Sequence, residues 1–292
     1  MEHATQPPAT PPEPESRARQ AVQQPPMPPE LPEGAGPRWP VWYALAGFVV
    51  GLTATVIAVG VITVVLGTDP DEDDATVTIV ATLIQSAVFV STAILFASFT
   101  RKPRAWHFGL RPTRFWPAVG WAALGMVSFY VFAAVYTVIV DPSAEQTVAE
   151  DLGAADGGFG LIVAGFMIIC VAPFAEEFFF RGFFYRALRS KYTVLVAALM
   201  NGILFGAIHW DGSTDGLLIL PPLAALGVVF CLVFERTGSL YPVIALHSIN
   251  NSIAFAAQAD GGEVSAVLGP LMVAACIVAP ALMRQAPAPR GV

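Results

Sequence analysis

The chain has 292 residues, of which 55% are hydrophobic and only 13% charged, with a mean hydropathy of +0.63. Soluble domains carry about 25% charged residues, so this composition excludes an ordinary soluble globule and implies a polytopic membrane protein. The net charge of −7 says little about partners because the acidic residues are clustered rather than spread, and no nucleic-acid partner is expected.

Residues 1–38 are rich in Pro, Glu and Gln and hold 11 of the 25 prolines. Such a stretch cannot bury enough apolar surface to fold, which predicts a disordered, partly polyproline II tail, available to recruit a protein partner. No short apolar stretch with a small-residue cleavage site opens the sequence, so the first apolar run is expected to serve as an uncleaved targeting signal. Residues 39–284 read as one transmembrane domain, followed by a short tail at 285–292. The domain divides into eight apolar segments, at 41–66, 76–99, 115–140, 158–183, 193–210, 216–234, 239–258 and 264–283. A helix needs about 20 apolar residues to cross the hydrocarbon core, and most of these segments are long enough. The fifth and sixth are separated only by the polar break 211–215, and Pro221 and Pro222 lie near the start of the sixth. The fold class expected is an all-α bundle of about eight membrane helices.

The charges test that count independently. Cytoplasmic loops carry an excess of Lys and Arg. With eight spans and both termini inside, all 15 basic residues fall on the cytoplasmic side. They are Arg17, Arg19 and Arg38 in the tail; Arg101, Lys102, Arg104, Arg111 and Arg114 after the second span; Arg181, Arg186, Arg189 and Lys191 at the end of the fourth; Arg236 after the sixth; and Arg284 and Arg290 after the last. The opposite connections, at 69–74, 141–156, 211–215 and 260–263, carry acidic residues and no Lys or Arg. A multi-pass protein of the cell membrane, with both termini cytoplasmic, is expected.

Against this apolar background a few polar groups stand out. Glu176, Glu177 and Arg181 lie in one of the most apolar stretches of the chain. A charged side chain at the centre of a membrane helix costs about 2.5–3.5 kcal/mol on insertion scales, so a functional role is the default reading. Residues four apart share a helix face. Glu177 and Arg181 can therefore pair, whereas Glu176, turned by about 100° from its neighbour, is expected to point elsewhere. His209 lies one turn beyond Phe205, and His247 shares a face with Asn251. The midpoint between Glu176 and His209 falls at the basic turn near Lys191, which places the two at similar depths on an antiparallel pair. Of the remaining histidines, His3 belongs to the tail and His107 to a basic interfacial loop. Cys170, Cys231 and Cys276 each fall in apolar segments and read as small buried hydrophobes, without disulfide or metal-site spacing. One carboxylate, two imidazoles and an amide are the groups needed to activate water and stabilise an oxyanion.

The three polar clusters, in this order and on successive spans, resemble the motifs of the type II CAAX prenyl endopeptidase family, also called CPBP or Abi intramembrane proteases. The motifs are Glu-Glu-x-x-x-Arg at Glu176, Glu177 and Arg181, Phe-x-x-x-His at Phe205 and His209, and His-x-x-x-Asn at His247 and Asn251. The motif core covers residues 160–258. The resemblance implies an intramembrane endopeptidase in which Glu176 activates water and His209 positions or polarises it. His247 and Asn251 would stabilise the oxyanion, with Glu177 and Arg181 as a supporting ion pair beside Phe205. It implies a peptide or membrane-protein substrate in contact with the bilayer. A metal-free glutamate mechanism is expected, the alternative being zinc or another divalent ion held by Glu176, His209 and His247.

Two other functional classes remain open at this level. One is a non-proteolytic membrane scaffold or bacteriocin-immunity-like protein on the same fold. The other is a proton-coupled transporter, since intramembrane Glu and His also serve proton relays. The Ala-, Pro- and Val-rich bias points to a high-GC bacterium, where a prenylated substrate is not expected.

Overall fold

A computed structural model of the chain describes residues 38–67, 75–141, 147–210 and 212–283. The readings for the N-terminal tail and His3, for the acidic loop 69–74, for Asp211 and for the tail beyond residue 284 lie outside the described residues. Every regular element among the described residues is helical.

Eight long helices stand where eight apolar segments were expected. They are α1 (Trp42–Leu66), α2 (Ala75–Ser98), α3 (Phe115–Val140), α4 (Gly158–Arg189), α5 (Val194–Ala207), α6 (Leu220–Thr237), α7 (Leu240–Gln258) and α8 (Gly262–Met283). Six of the eight are long and apolar enough to cross a membrane. Two fall short, for different reasons. α5 has 14 residues, or about 21 Å of helix at 1.5 Å per residue. α7 is long enough in residues, but His247, Ser248, Asn250, Asn251 and Ser252 dilute its apolar character. The outward faces of the apolar helices carry large hydrophobic side chains, such as Val64, Trp116 and Val138, at 80%, 77% and 84% exposure. No aqueous surface accounts for such a face, whereas lipid does.

The chain's basic connections meet at one end of the bundle. The loop between α2 and α3 is tied to the α6–α7 turn by four hydrogen bonds. Arg111 Nε donates to Gly238 O at 2.5 Å, Thr113 Oγ1 to Thr237 O at 2.8 Å, Ser239 Oγ to Arg111 O at 2.7 Å and Leu240 N to Gly109 O at 2.8 Å. Trp39, just ahead of α1, packs on Phe108 of that loop and on Phe183 of α4, at ring distances of 5.2 and 5.4 Å. Arg189 at the end of α4 pairs with Glu235 near the end of α6 at 2.9 Å. The start of α1, the α2–α3 loop, the end of α4 and the α6–α7 turn are therefore neighbours, as the alternation of charge requires. His107, buried in this loop, accepts a hydrogen bond at Nδ1 from the Arg104 backbone N–H at 3.0 Å. Burial, with the positive charges of Arg101, Arg186 and Arg104, pushes its imidazole down to about 4.

α4 is the central element and is not a regular α-helix. It is interrupted by two π-helical stretches, Met167–Val171 and Phe178–Tyr185, with the α-helical turn Ala172–Glu177 between them. The second stretch holds five phenylalanines and Tyr185, none more than 5% exposed. Phe179 stacks on Phe89 of α2 at 4.8 Å, and Phe178 on Phe108 at 4.4 Å. These rings belong to the main hydrophobic core and fix the rotation of α4 against α2 and the basic loop. The cysteines are free; Cys231 and Cys276 are buried as expected, whereas Cys170 is only half-buried.

α5 and α6 approach closely because glycines face each other at the contact. A Cβ on Gly202 would meet Ala224 O at 2.5 Å and Val228 N at 2.9 Å, while one on Gly227 would meet Gly202 Cα at 2.8 Å. Backbone atoms cannot yield as a flexible side chain can, so the pair behaves as a small-residue membrane contact. A Cβ on Gly60, by contrast, would meet nothing within 4 Å. Gly202→Ala should therefore separate α5 from α6 and lower the unfolding temperature in detergent by several degrees, whereas Gly60→Ala should leave it unchanged or raise it slightly. Thermal unfolding of the two purified variants checks this.

Candidate active site

The three motifs come together around the side chains of α4, α5 and α7. Glu177 and Arg181 are 0% exposed, and Arg181 Nη1 donates to Glu177 Oε1 at 2.9 Å. The i,i+4 pairing holds although Arg181 lies in the second π stretch. Arg181 also donates from Nη2 to Gly227 O at 3.1 Å. Its guanidinium lies over the rings of Phe205 and Phe230, with centroids 4.4 and 5.0 Å away. Carboxylate, carbonyl and ring faces together replace much of the hydration that a buried guanidinium loses.

Glu177 has a second partner that sequence spacing did not reveal. His247 Nδ1 lies 2.8 Å from the same Oε1 atom. Since that carboxylate already faces Arg181, the imidazole nitrogen is the donor, and Nδ1 carries the proton. Nε2, on the opposite edge of the ring, then lies 3.9 Å from Glu176 Oε2. Among the described residues Glu176 makes no ion pair with Arg181; what its offset of about 100° does not show is that it shares His247 with Glu177. The two adjacent carboxylates converge on opposite edges of one imidazole, because the ring reaches across the face of α4 between them. Glu176 Oε2 is buried and has no hydrogen-bond partner.

His209 is placed differently from the sequence expectation. α5 ends at Ala207, so His209 sits in the following turn, with its backbone N–H bonded to Gly206 O at 3.0 Å. Its Nδ1 lies 2.7 Å from Phe205 O. A carbonyl only accepts, so Nδ1 carries the proton and the neutral ring keeps its lone pair on Nε2. No hydrogen bond joins His209 to Glu176. The two imidazoles instead share Phe205, whose ring centroid lies 5.0 Å from that of His209 and 5.9 Å from that of His247. Phe205 is thus the common wall of the site, and it also covers Arg181.

Asn251 turns toward α4, as its shared face with His247 predicts. Its Nδ2 donates to Ile168 O at 2.9 Å, a carbonyl of the first π stretch. A similar contact occurs on the second stretch. Asn201 of α5, 0% exposed, donates from Nδ2 to Phe180 O at 2.8 Å and accepts from Cys231 Sγ at 3.2 Å. π-turns disturb the regular backbone ladder and occur at functional sites, and side chains from neighbouring helices satisfy the freed groups in a membrane. Each irregular stretch of α4 is therefore held by an asparagine from another helix. Asn201 was missed in the sequence, although its spacing from Phe205 and His209 put it on the same face of α5. Tyr130 of α3 extends the network, donating to Asn250 Oδ1 at 3.3 Å, and Asn250 Nδ2 in turn donates to Asn251 Oδ1 at 3.3 Å.

Among the described residues no three His, Cys, Asp or Glu side chains converge closely enough to hold a metal ion. Glu176, His209 and His247 are thus not arranged as a ligand set. An open cavity of about 510 Å³ lies beside the site between α2 and α4, lined by Ser86, Val90, Ser91, Cys170, Phe174 and Ala175 among others. It reaches the residue before Glu176 but includes none of the site carboxylates or imidazoles.

Residues 158–253 match the family described as type II CAAX prenyl endopeptidase Rce1-like, and this segment contains all three motifs. The chain is also similar to an uncharacterized 24.3 kDa protein of Escherichia coli, with 34% identity over 82 residues, or 27% of this chain. The matched part covers 37% of that protein's length. No solved structure matches the chain.

The buried Glu177 carboxylate offsets both Arg181 and His247, so its removal should be among the costliest single changes in the domain. Glu177→Gln keeps the shape but leaves a buried guanidinium without its counter-charge. Breaking one partner of a buried pair costs about 3–5 kcal/mol. The variant should unfold at clearly lower temperature in detergent, whereas Glu176→Gln, which breaks no ion pair to Arg181, should unfold close to the wild-type temperature.

Proposed function

We propose that the chain is an intramembrane endopeptidase that uses Glu176 to activate water. It hydrolyses a peptide bond of a peptide or membrane-protein substrate in or near the bilayer. The observation that carries this reading is the unpartnered Glu176 Oε2, buried and 3.9 Å from His247 Nε2. That separation is too long for a hydrogen bond and suits one bridging water. The protease family of the motif segment supports the same reaction class.

In this reading Glu176 takes a proton from the water as its oxygen adds to the substrate carbonyl carbon. The carbonyl π electrons move onto oxygen, forming a tetrahedral oxyanion. His247 faces that oxyanion with Nε2, while the Glu177 carboxylate holds the ring at Nδ1. Asn251 has a second amide hydrogen beyond the one bonded to Ile168 O, and this can reach the same oxygen. His209, with its Nε2 lone pair free, accepts from and orients the attacking water. As the oxyanion collapses, the C–N bond breaks and Glu176 returns its proton to the leaving nitrogen. Phe205 and Phe230 exclude bulk water from the imidazole faces, which strengthens each of these interactions. An eight-span topology with both termini on the cytoplasmic side of the cell membrane is part of the proposal, supported by the basic connections meeting at one end. The Pro-rich tail is proposed to bind a protein partner.

The test is comparative membrane proteomics of cells carrying wild-type or Glu176→Gln protein. Proteins cleaved only with wild type are the expected result, and with one such substrate in hand Glu176→Gln should slow cleavage about 10²–10⁴-fold, the usual contribution of a general base. Equal cleavage by the purified variant would sink the proposal. A reaction without a metal ion is part of the proposal. Cleavage should survive exhaustive chelation, and elemental analysis of active protein should find far less than one equivalent of zinc; loss on chelation with rescue by zinc would reverse that part of the reading.

A further inference from the structure

Arg186, one turn beyond the motif arginine, is used by none of the chemistry above. It is 5% exposed, yet its Nε and Nη2 atoms have no hydrogen-bond partner. These two nitrogens form one edge of the guanidinium, with the geometry that takes an oxyanion in a bidentate fashion. Leaving a buried charged donor unsatisfied is costly, so an arginine held this way calls for a ligand. The existing contacts do not supply one. Its guanidinium lies 5.1 Å from the Phe234 ring centroid, which satisfies no N–H. The carboxylate within electrostatic range among the described residues is Glu235. That side chain is already engaged, accepting from Tyr185 Oη at 3.0 Å and from Arg189 Nε and Nη2 at 3.2 and 2.9 Å.

The surroundings favour an anion. Arg111 acts on Arg186 from the α2–α3 loop, and Arg186, Arg101 and Arg104 all act on His107. The neutral His107 adds no acid to balance them. The position along the bundle indicates which anion. Arg186 lies at the basic end, near the last residues of α4, where Trp42 and Trp116 are 57% and 77% exposed. Exposed tryptophans at a helix end mark the level of the lipid headgroups, and basic pockets between helices at that level bind headgroup phosphates.

We propose that the Nε/Nη2 edge of Arg186, backed by Arg111, is the receptor for a phosphate-class oxyanion, namely the headgroup phosphate of an anionic phospholipid. The site is separate from the peptidase reading and stands or falls without it.

The full-length protein in detergent is titrated with phosphatidylglycerol or with phosphatidylcholine, and unfolding temperature is read. Wild type should gain about 2–4 °C more from phosphatidylglycerol. Arg186→Gln should lose that difference. Arg186→Lys, which keeps the charge but not the bidentate edge and is the gentler change for folding, should lose most of it. Lys102→Gln, at an exposed position in the same loop, should retain it. Diffuse attraction predicts the reverse pattern, with Arg186→Lys unaffected and Lys102→Gln weakened, and that outcome overturns the proposal, as would equal shifts from the two lipids. Millimolar inorganic phosphate should not reproduce the gain; if it does so in wild type and not in Arg186→Lys, the oxyanion site stands with free phosphate as its source.

Discussion

One carboxylate oxygen, Oε1 of Glu177, accepts from Arg181 at 2.9 Å and lies 2.8 Å from His247 Nδ1. All three residues are buried, at 0%, 0% and 3% exposure. In so apolar a setting each charge is tolerated only because the others are in place. This shared atom joins α4 to α7, fixes which imidazole nitrogen carries the proton, and turns the other toward Glu176. Arg181 extends the same joint to α6 through Gly227 O and to α5 through the face of Phe205. The glycine contact between α5 and α6 is a consequence as much as a cause, since Arg181 reaches Gly227 O only if that backbone stands close.

Holding Glu176 and Glu177 on opposite edges of one ring requires α4 to have a defined rotation on both sides of the pair. The regular turn Ala172–Glu177 that carries them lies between two π stretches. Each of these is gripped by an asparagine, Asn251 on Ile168 O and Asn201 on Phe180 O. A π turn takes its hydrogen bond one residue further along than an α turn, so it shifts the phase of everything beyond it. The asparagines fix that phase from α7 and α5, the same helices that supply His247 and position His209. The helices that carry the imidazoles therefore also set the orientation of the carboxylates they face.

Much of this was legible in the sequence, and the rest was illegible for definite reasons. Apolar run length located all eight helices, of which six are long and apolar enough to cross a membrane. The i,i+4 rule found Glu177 with Arg181 and put His247 with Asn251 on one face, since these are short-range relations. It did not show that Glu176 and Glu177 share one imidazole, because that ring comes from 70 residues away. The helical reading of His209 failed because α5 stops at Ala207, and only Ile208 separates that end from the histidine. The π stretches have no signature in residue type; a run of phenylalanines reads as well in one helix as in the other. Asn201 was visible as a polar residue in an apolar span, but nothing in its own segment shows that its partner is a backbone carbonyl of α4.

The buried polar groups of the site differ in how far they are paired. Arg181 is surrounded by a carboxylate, a carbonyl and two rings; Asn201, Asn251 and His247 each have a close partner. Such groups hold the helices together at little net cost. Glu177 Oε2 and Arg181 Nε are also buried and unbonded, but both residues are paired through their other atoms; Glu176 is partly exposed, with Oε2 buried and unbonded. An unmet carboxylate oxygen is costly in a medium of low polarity, and a ring nitrogen, His247 Nε2, stands 3.9 Å from this one, just beyond bonding distance. Under the proposed reaction, that arrangement leaves Glu176 free to exchange a proton while its neighbours stay paired, as a general base requires.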